Sequence, residues 1–155
     1  MKRIALTQGK VALVDDGDFP KLNKFKWWII KAPNTYYACC NENNKKRYMH
    51  RMILGVTTVQ QVDHINHNGL NNQRDNIRLC SRAQNQMNQQ RQKNTSSQFK
   101  GVSWNKQKKK WEAYIMYRKQ RIALGSFKKE EAAARAYDGK AREIFGEFAN
   151  PNIRE

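Results

Sequence analysis

Asp63 and His64 stand side by side in Val62-Asp63-His64-Ile65-Asn66, with Asn76-Ile77-Arg78 following a polar stretch and Asn85 further along the chain. These residue types suit hydrolysis of a phosphodiester. That reaction needs a water made nucleophilic, positive charge at the phosphoryl oxygens and help for the departing oxygen. Histidine, which titrates near neutrality, suits the proton acceptor. An adjacent Asp and an amide oxygen from a helix are hard donors that suit Mg²⁺ or Mn²⁺, ions that keep waters and phosphate oxygens in their other positions. Consecutive strand residues face opposite sides, so Asp63 and His64 diverge unless the strand ends or twists there. The polar loop that begins at Asn66 allows such an end. Asn76, where a second strand begins, is placed to fix that loop through hydrogen bonds to backbone.

The elements that position these residues are short. Residues 61–92 read as strand, long loop NHNGLNNQRD, strand and helix. The helix rests on Ser81 as N-cap with Gln84 three residues on, a capping box, and on Ala83 and Met87 sharing one face. Residues 1–60 hold β-type runs at Lys10-Val14, Lys26-Ile30, Tyr36-Cys40 and Tyr48-Leu54, punctuated by DDGDFP, APNT and NENNKK, and predict a small antiparallel meander. Of the adjacent Trp27 and Trp28, at least one packs inward. KNTSSQ at 93–98 suits a linker.

Residues 99–155 predict a second unit. Three strands, Phe99-Asn105, Trp111-Tyr117 and Arg121-Phe127, precede a helix from about Glu130 to Phe145, with Glu130 and Glu131 at its positive end and Gly146 as its stop. Ala133, Tyr137, Ala141 and Phe145 recur every four residues and cover one sheet face, the face of Trp111, Ala113, Ile115, Ile122 and Leu124. The other face, with Ser103, Asn105, Glu112, Tyr114, Met116 and Arg121, is left free. Trp104 and Trp111 are expected in the core.

The 155 residues carry 30 Lys+Arg against 13 Asp+Glu, a net charge of +17, with mean hydropathy −0.97. Four Trp, six Tyr and six Phe argue against disorder, so a folded protein carries a field that attracts polyanions, nucleic acid first. Residues 1–94 hold 16 basic and 6 acidic side chains, and residues 95–155 hold 14 and 7, so both units are expected at the same polyanion. No apolar run approaches the roughly 20 residues that span a bilayer. The start MKRIALTQGK is too short in apolar residues for a secretory signal, and the chain is expected to be soluble in the cytoplasm of a bacterial or phage-infected cell. Cys39, Cys40 and Cys80, with no C-x-x-C, support neither disulfides nor structural zinc.

The stretch VDHINHNGLNNQRDNIRLCSRAQNQMN, residues 62–88, resembles the HNH nucleases of the ββα-metal type, especially the phage homing and mobile-element branch. The resemblance implies His64 as general base, Asp63 and Asn85 as ligands of one Mg²⁺ or Mn²⁺, and Asn76 as the central Asn that orients the loop and the base. Asn85 stands where many members carry His, a substitution that the phage branch shares. Met49-His50-Arg51 looks like the His-Arg pair that often precedes the motif. His50 and Arg51 are thus candidate DNA contacts, and His50 is alternatively a satisfied strand histidine.

The second unit resembles the plant AP-two/ERF (APETALA, ethylene-response-factor) DNA-binding domain through Lys100-Gly101-Val102, Lys110-Trp111-Glu112-Ala113, Leu124-Gly125-Ser126-Phe127, the run Glu131 to Asp138 and Phe145-Gly146. In that family the free sheet face enters the major groove. It makes Lys100, Ser103, Asn105, Tyr114, Met116 and Arg121 candidate DNA contacts, although Ser103, Tyr114, Met116 and Ala123 depart from the plant pattern.

The expected fold class is therefore α+β: an HNH module at 1–92, a β meander to 60 and the ββα-metal motif at 61–92, then a linker and a three-stranded sheet packed on one helix. The expected function is homing-type, metal-dependent cleavage of duplex DNA, as a nick or a double-strand break, with a monomer favoured but the oligomeric state left open, and with no membrane or small-molecule partner. The alternatives are a DNA-binding regulator whose nuclease module is inactive, and an RNA-binding protein.

Overall fold

The computed structural model describes residues 1–56, 59–88 and 95–153, and divides into two units, Met1–Asn85 and Gln86–Glu155. The chain is mixed α and β, built from small antiparallel sheets and short helices.

The first unit opens on a hairpin of β1 (Lys2–Ala5) and β2 (Val11–Val14). Sequence patterning misses β1, because only Ile4 in it faces the core. Helix α1 (Phe19–Leu22) carries Pro20 in its first turn, where the missing N–H has no partner anyway. The Trp27 indole donates to the Leu22 carbonyl (2.8 Å) and is buried, while Trp28 is half-buried.

Strands β3 (Trp28–Lys31), β4 (Tyr36–Glu42) and β5 (Lys45–Tyr48) form a second antiparallel sheet. The expected single meander is thus a separate hairpin followed by a three-stranded sheet. The β4–β5 turn is Asn43-Asn44, both at positive φ, as a two-residue hairpin turn requires.

Residues 49–54 correct the expected strand at Tyr48-Leu54. They form helix α2 (Met49–Leu54), whose Met49 and Ile53 are buried one turn apart, and Gly55 at φ 65 ends it. The apolar spacing there has a period of four, which a helix satisfies and a strand does not.

Strands β6 (Gln61–His64) and β7 (Ile77–Cys80) pair antiparallel around the loop 65–76, and α3 (Arg82–Met87) follows. The capping box forms: Ser81 N–H donates to Gln84 Oε1 (2.8 Å) and Gln84 N–H to Ser81 Oγ (3.2 Å). The expected continuation of the helix over 89–92, and linker residues 93 and 94, lie outside the described residues. The core gathers Ile4, Ala12, Val14, Leu22, Trp27, Ala38, Cys40, Met49, Ile53 and Ile77. All three cysteines are free and buried, and burial pushes the Cys39 and Cys40 thiols up to about 11, which keeps them protonated and unreactive.

The second unit is a sheet of β8 (Val102–Asn105), β9 (Lys110–Tyr117) and β10 (Gln120–Phe127), with β9 central, packed on α4 (Glu130–Phe145). Ala133, Tyr137, Ala141 and Phe145 are buried along α4. They meet Val102, Ala113, Ile115, Trp111, Ile122, Leu124 and Phe127. Leu124 and Phe127 are three apart, a spacing that strict alternation would put on opposite faces. A register shift between Ala123 and Gly125 brings both to the core, and Gly125 at φ 123 takes the backbone conformation that this bulge needs. Asp138, buried in α4, accepts the backbone N–H groups of Asn152 (2.7 Å) and Ile153 (2.9 Å) and so ties down the segment after the helix.

Candidate active site

Alternation along β6 places Gln61 and Asp63 on one face of the hairpin and Val62 and His64 on the other. On the first face, Asp63 lies opposite Arg78, which donates to Asp63 Oδ2 through Nε (3.0 Å) and Nη2 (2.9 Å). Asn85 reaches the same face from α3, its Nδ2 donating to Gln61 Oε1 at 3.0 Å. Asp63 and Asn85 are therefore brought to one side of the strand. On the other face the His64 ring, in a residue only 6% exposed, packs against Tyr37 (5.7 Å between centroids) and edge-on to His50 (5.0 Å).

The strand ends at His64, and its turn is held by Asn76. Asn76 Oδ1 accepts the Asn66 N–H (3.0 Å), its Nδ2 donates to the Asn71 carbonyl (2.7 Å), and its own carbonyl accepts the Ile65 N–H (2.9 Å). The sequence expectation for Asn76 was of this kind, a side chain that fixes the loop through backbone bonds.

The loop is docked on the rest of the unit at several points. Leu13 N–H donates to the Leu70 carbonyl (2.9 Å), Asn72 N–H to the Leu13 carbonyl (2.8 Å) and Gly69 N–H to Thr35 Oγ1 (2.8 Å). Arg74 pairs with Asp18 through Nε and Nη2, each at 2.8 Å. Gly69 has no room for a side chain: a Cβ there would lie 2.5 Å from the Tyr36 carbonyl oxygen and 2.6 Å from the Tyr37 ring.

Burial lowers the pKa of His64 below its ordinary value, against the hydrogen bond that its ring makes to Asn72 Oδ1 and the charge of Asp63, which raise it. His50 is pushed down to about 3, first by burial and then by the neighbouring His64 and Arg51. A neutral imidazole at position 64 is the state that can accept a proton.

His50, expected either as a DNA contact or as a satisfied strand histidine, lies on helix α2 and not on a strand; it is buried, stacked on Tyr48 (5.5 Å) and against Tyr37 and His64. Arg51 beside it is half-buried, with Nη2 enclosed and without a hydrogen-bond partner among the described residues. Lys100 is also turned inward, with Nζ on the Met87 carbonyl (2.8 Å) and near the Tyr137 ring, and burial lowers its pKa to about 8.

The other expected contacts share the uncovered sheet face, as the register of β8, β9 and β10 requires: Ser103 opposite Glu112, Asn105 opposite Lys110, and Arg121 opposite Met116. The Arg121 guanidinium lies over the Tyr114 ring at 4.0 Å. Met116 is 52% exposed. Glu112 accepts Asn105 Nδ2 (3.0 Å) and Lys108 Nζ (2.9 Å), and Lys108 holds its carboxyl below the usual range. Trp104 departs from its expected core position. It pairs with Trp111 on the helix-covered face, but at the end of an edge strand, and stays 38% exposed.

The donor chemistry fits a divalent cation. Among the described residues no three His, Cys, Asp or Glu side chains converge; Asp63 and Asn85, on one side of β6, would offer one carboxylate and one amide oxygen. That set suits an ion that completes its shell with water and phosphate oxygens. Sequence reasoning missed Arg78 and Asn72 as site residues. Arg78 was discoverable from its opposite charge across the hairpin, whereas Asn72 carried no signal that separated it from its neighbours.

A paired hairpin followed by a helix carries a buried imidazole on one face and an Asp and an Asn side chain on the other, residue types that suit phosphodiester hydrolysis. Residues 59–87 match the family model for HNH endonuclease. A protein of Acanthamoeba polyphaga mimivirus, named uncharacterized HNH endonuclease, is 32% identical over 147 residues, 94% of this chain and 76% of the relative. Protein 3.8 of Escherichia phage T7 is 33% identical over 88 residues, 57% of this chain and 72% of that protein. The chain belongs to the HNH endonuclease family, and it is an enzyme that hydrolyses phosphodiester bonds in DNA. No described helix is long and apolar enough to cross a membrane.

Proposed function

We propose that this protein is a metal-dependent, homing-type HNH endonuclease that cuts duplex DNA one strand at a time. The observation that carries the reading is the division of β6 at its last two residues: the Asp63 carboxylate on one face with Asn85, and the buried His64 imidazole on the other. His64 takes a proton from the attacking water as its oxygen bonds to phosphorus. The bond to the 3′ oxygen breaks, leaving 5′-phosphate and 3′-hydroxyl ends. A Mg²⁺ or Mn²⁺ held by Asp63 and Asn85 would supply positive charge at the phosphoryl and leaving oxygens. Asn76 holds the turn after His64 so that the ring keeps its place relative to the carboxylate. One such centre makes one nick.

Residues 95–153 are proposed as an AP-two/ERF-like binding unit that presents Ser103, Asn105, Tyr114, Met116 and Arg121 to the major groove. Support comes from the open sheet face opposite α4 and from the Arg121 side chain already stacked in place on Tyr114. Supercoiled plasmid incubated with Mg²⁺ or Mn²⁺ tests the whole reading. Wild type is expected to relax it, and His64→Ala is not. Undiminished cleavage by His64→Ala overturns the mechanism, and inactive wild type favours a DNA-binding regulator instead.

A further inference from the structure

Loop 65–76 contains five asparagines, and hydrogen bonding sorts them. Asn66, Asn68 and Asn71 cap the loop's own backbone, accepting the N–H groups of Asn68 (2.9 Å), Leu70 (3.1 Å) and Gln73 (3.3 Å). Asn76 holds the turn. Asn72 does neither. It has no exposed surface, its Oδ1 lies 3.2 Å from His64 Nε2, and its Nδ2 has no hydrogen-bond partner among the described residues. Burying an amide with half its capacity unmet is costly, so the contact to His64 is what the position is built around.

The place of that Oδ1 is set from outside the loop. The Asn72 N–H is bonded to the Leu13 carbonyl of β2, and Leu13 in turn bonds the Leu70 carbonyl. Gly69 sits against the Tyr36 carbonyl and the Tyr37 ring, where no side chain fits. His64 is therefore met by an acceptor held on a rigid frame, while Tyr37 and His50 crowd its ring.

We propose that Asn72 is a positioning residue that sets the tautomer of His64. A carbonyl oxygen only accepts, so Nε2 must carry the hydrogen, and the neutral ring then keeps its lone pair on Nδ1. Nδ1 is the atom that takes the proton when water attacks: the water O–H bond breaks as O–P forms, the ring becomes imidazolium, and the 3′ oxygen that departs is protonated from solvent. This inference rests on the reading of His64 as general base. An Asn72 amide turned the other way would donate to Nε2 and select the opposite tautomer, so the two arrangements are distinguishable by observation.

The test is ¹⁵N NMR of the imidazole nitrogens in the metal-free full-length protein at a pH where His64 is neutral, paired with plasmid-nicking kinetics. Wild type is expected to show the Nε2–H form. Asn72→Leu should lose that preference and lower kcat by roughly 10- to 100-fold with KM little changed, the scale for outer partners that orient an imidazole. Asn72→Asp keeps an acceptor and should retain the Nε2–H form and most of the activity. If Asn72→Leu does not fold, wild type and Asn72→Asp still decide the tautomer. A Nδ1–H ring in wild type overturns the inference and leaves His64 as base untouched. Unchanged kcat in a folded Asn72→Leu that has lost the preference also overturns it. Full activity of His64→Ala removes the base itself, and the role of Asn72 with it.

Discussion

Arg78 faces Asp63 across the β6–β7 ladder and sets two nitrogens on one carboxylate oxygen, at 3.0 and 2.9 Å, with both side chains largely removed from water. Removing one member of a buried pair leaves the other charge stranded, a cost of about 3–5 kcal/mol in comparable cases. Arg78→Leu is expected to lower the unfolding free energy by an amount near the bottom of that range. Urea titration checks it, and a change below about 0.5 kcal/mol would show that Asp63 does not depend on the guanidinium.

Gly69→Ala should be damaging out of proportion to one methyl group. The added Cβ meets a backbone carbonyl and a packed ring, so the loop must move, at a cost of about 1–3 kcal/mol. Because that loop carries Asn72, a fall in kcat should accompany the fall in melting temperature. Normal nicking by a destabilised variant would separate loop docking from catalysis.

His50 makes stability depend on pH. Its folded pKa of about 3 lies well under the ordinary 6.5. Between those values the unfolded chain binds a proton that the folded chain does not. Its contribution is therefore fully present above pH 6.5 and is lost as pH falls toward 3, on the order of a few kcal/mol in all. His50→Phe keeps a ring and removes the titration. Urea midpoints from pH 4 to 7 should rise less steeply with pH in that variant than in wild type, and parallel slopes would contradict a buried neutral His50.

Arg121 separates binding from folding in the second unit. Its stacking on Tyr114 is worth about 0.5–1 kcal/mol at an exposed site, so Arg121→Ala should scarcely move the melting temperature. Its loss from a DNA-reading face should weaken duplex binding by about 1–3 kcal/mol and reduce sequence preference. Fluorescence anisotropy on specific and random duplexes measures both, and equal affinity for wild type and variant would remove this face from the binding surface.

Much of this organisation is local and was legible in the sequence. The Ser81–Gln84 box forms as expected, α4 runs from Glu130 to Phe145, and the faces of β8 and β9 follow from alternation, because caps and periodicity act between residues a few positions apart. The divergence of Asp63 and His64 is of the same kind. What escaped was decided at longer range. Residues 49–54 coil because Met49 and Ile53 share a core with Ile4 and Val14, and Leu124 and Phe127 face one way because of a bulge.

Among five chemically identical asparagines, the sequence determined that an amide-rich loop follows His64 and nothing about which amide meets it. Only the tertiary structure chose Asn72, since β2 and β4, far away along the chain, hold the loop where that one side chain reaches the ring. The physical reason is that periodicity assigns a residue to a face, whereas a hydrogen-bond partner is assigned by distance, and distance across a loop exists only once the loop is docked.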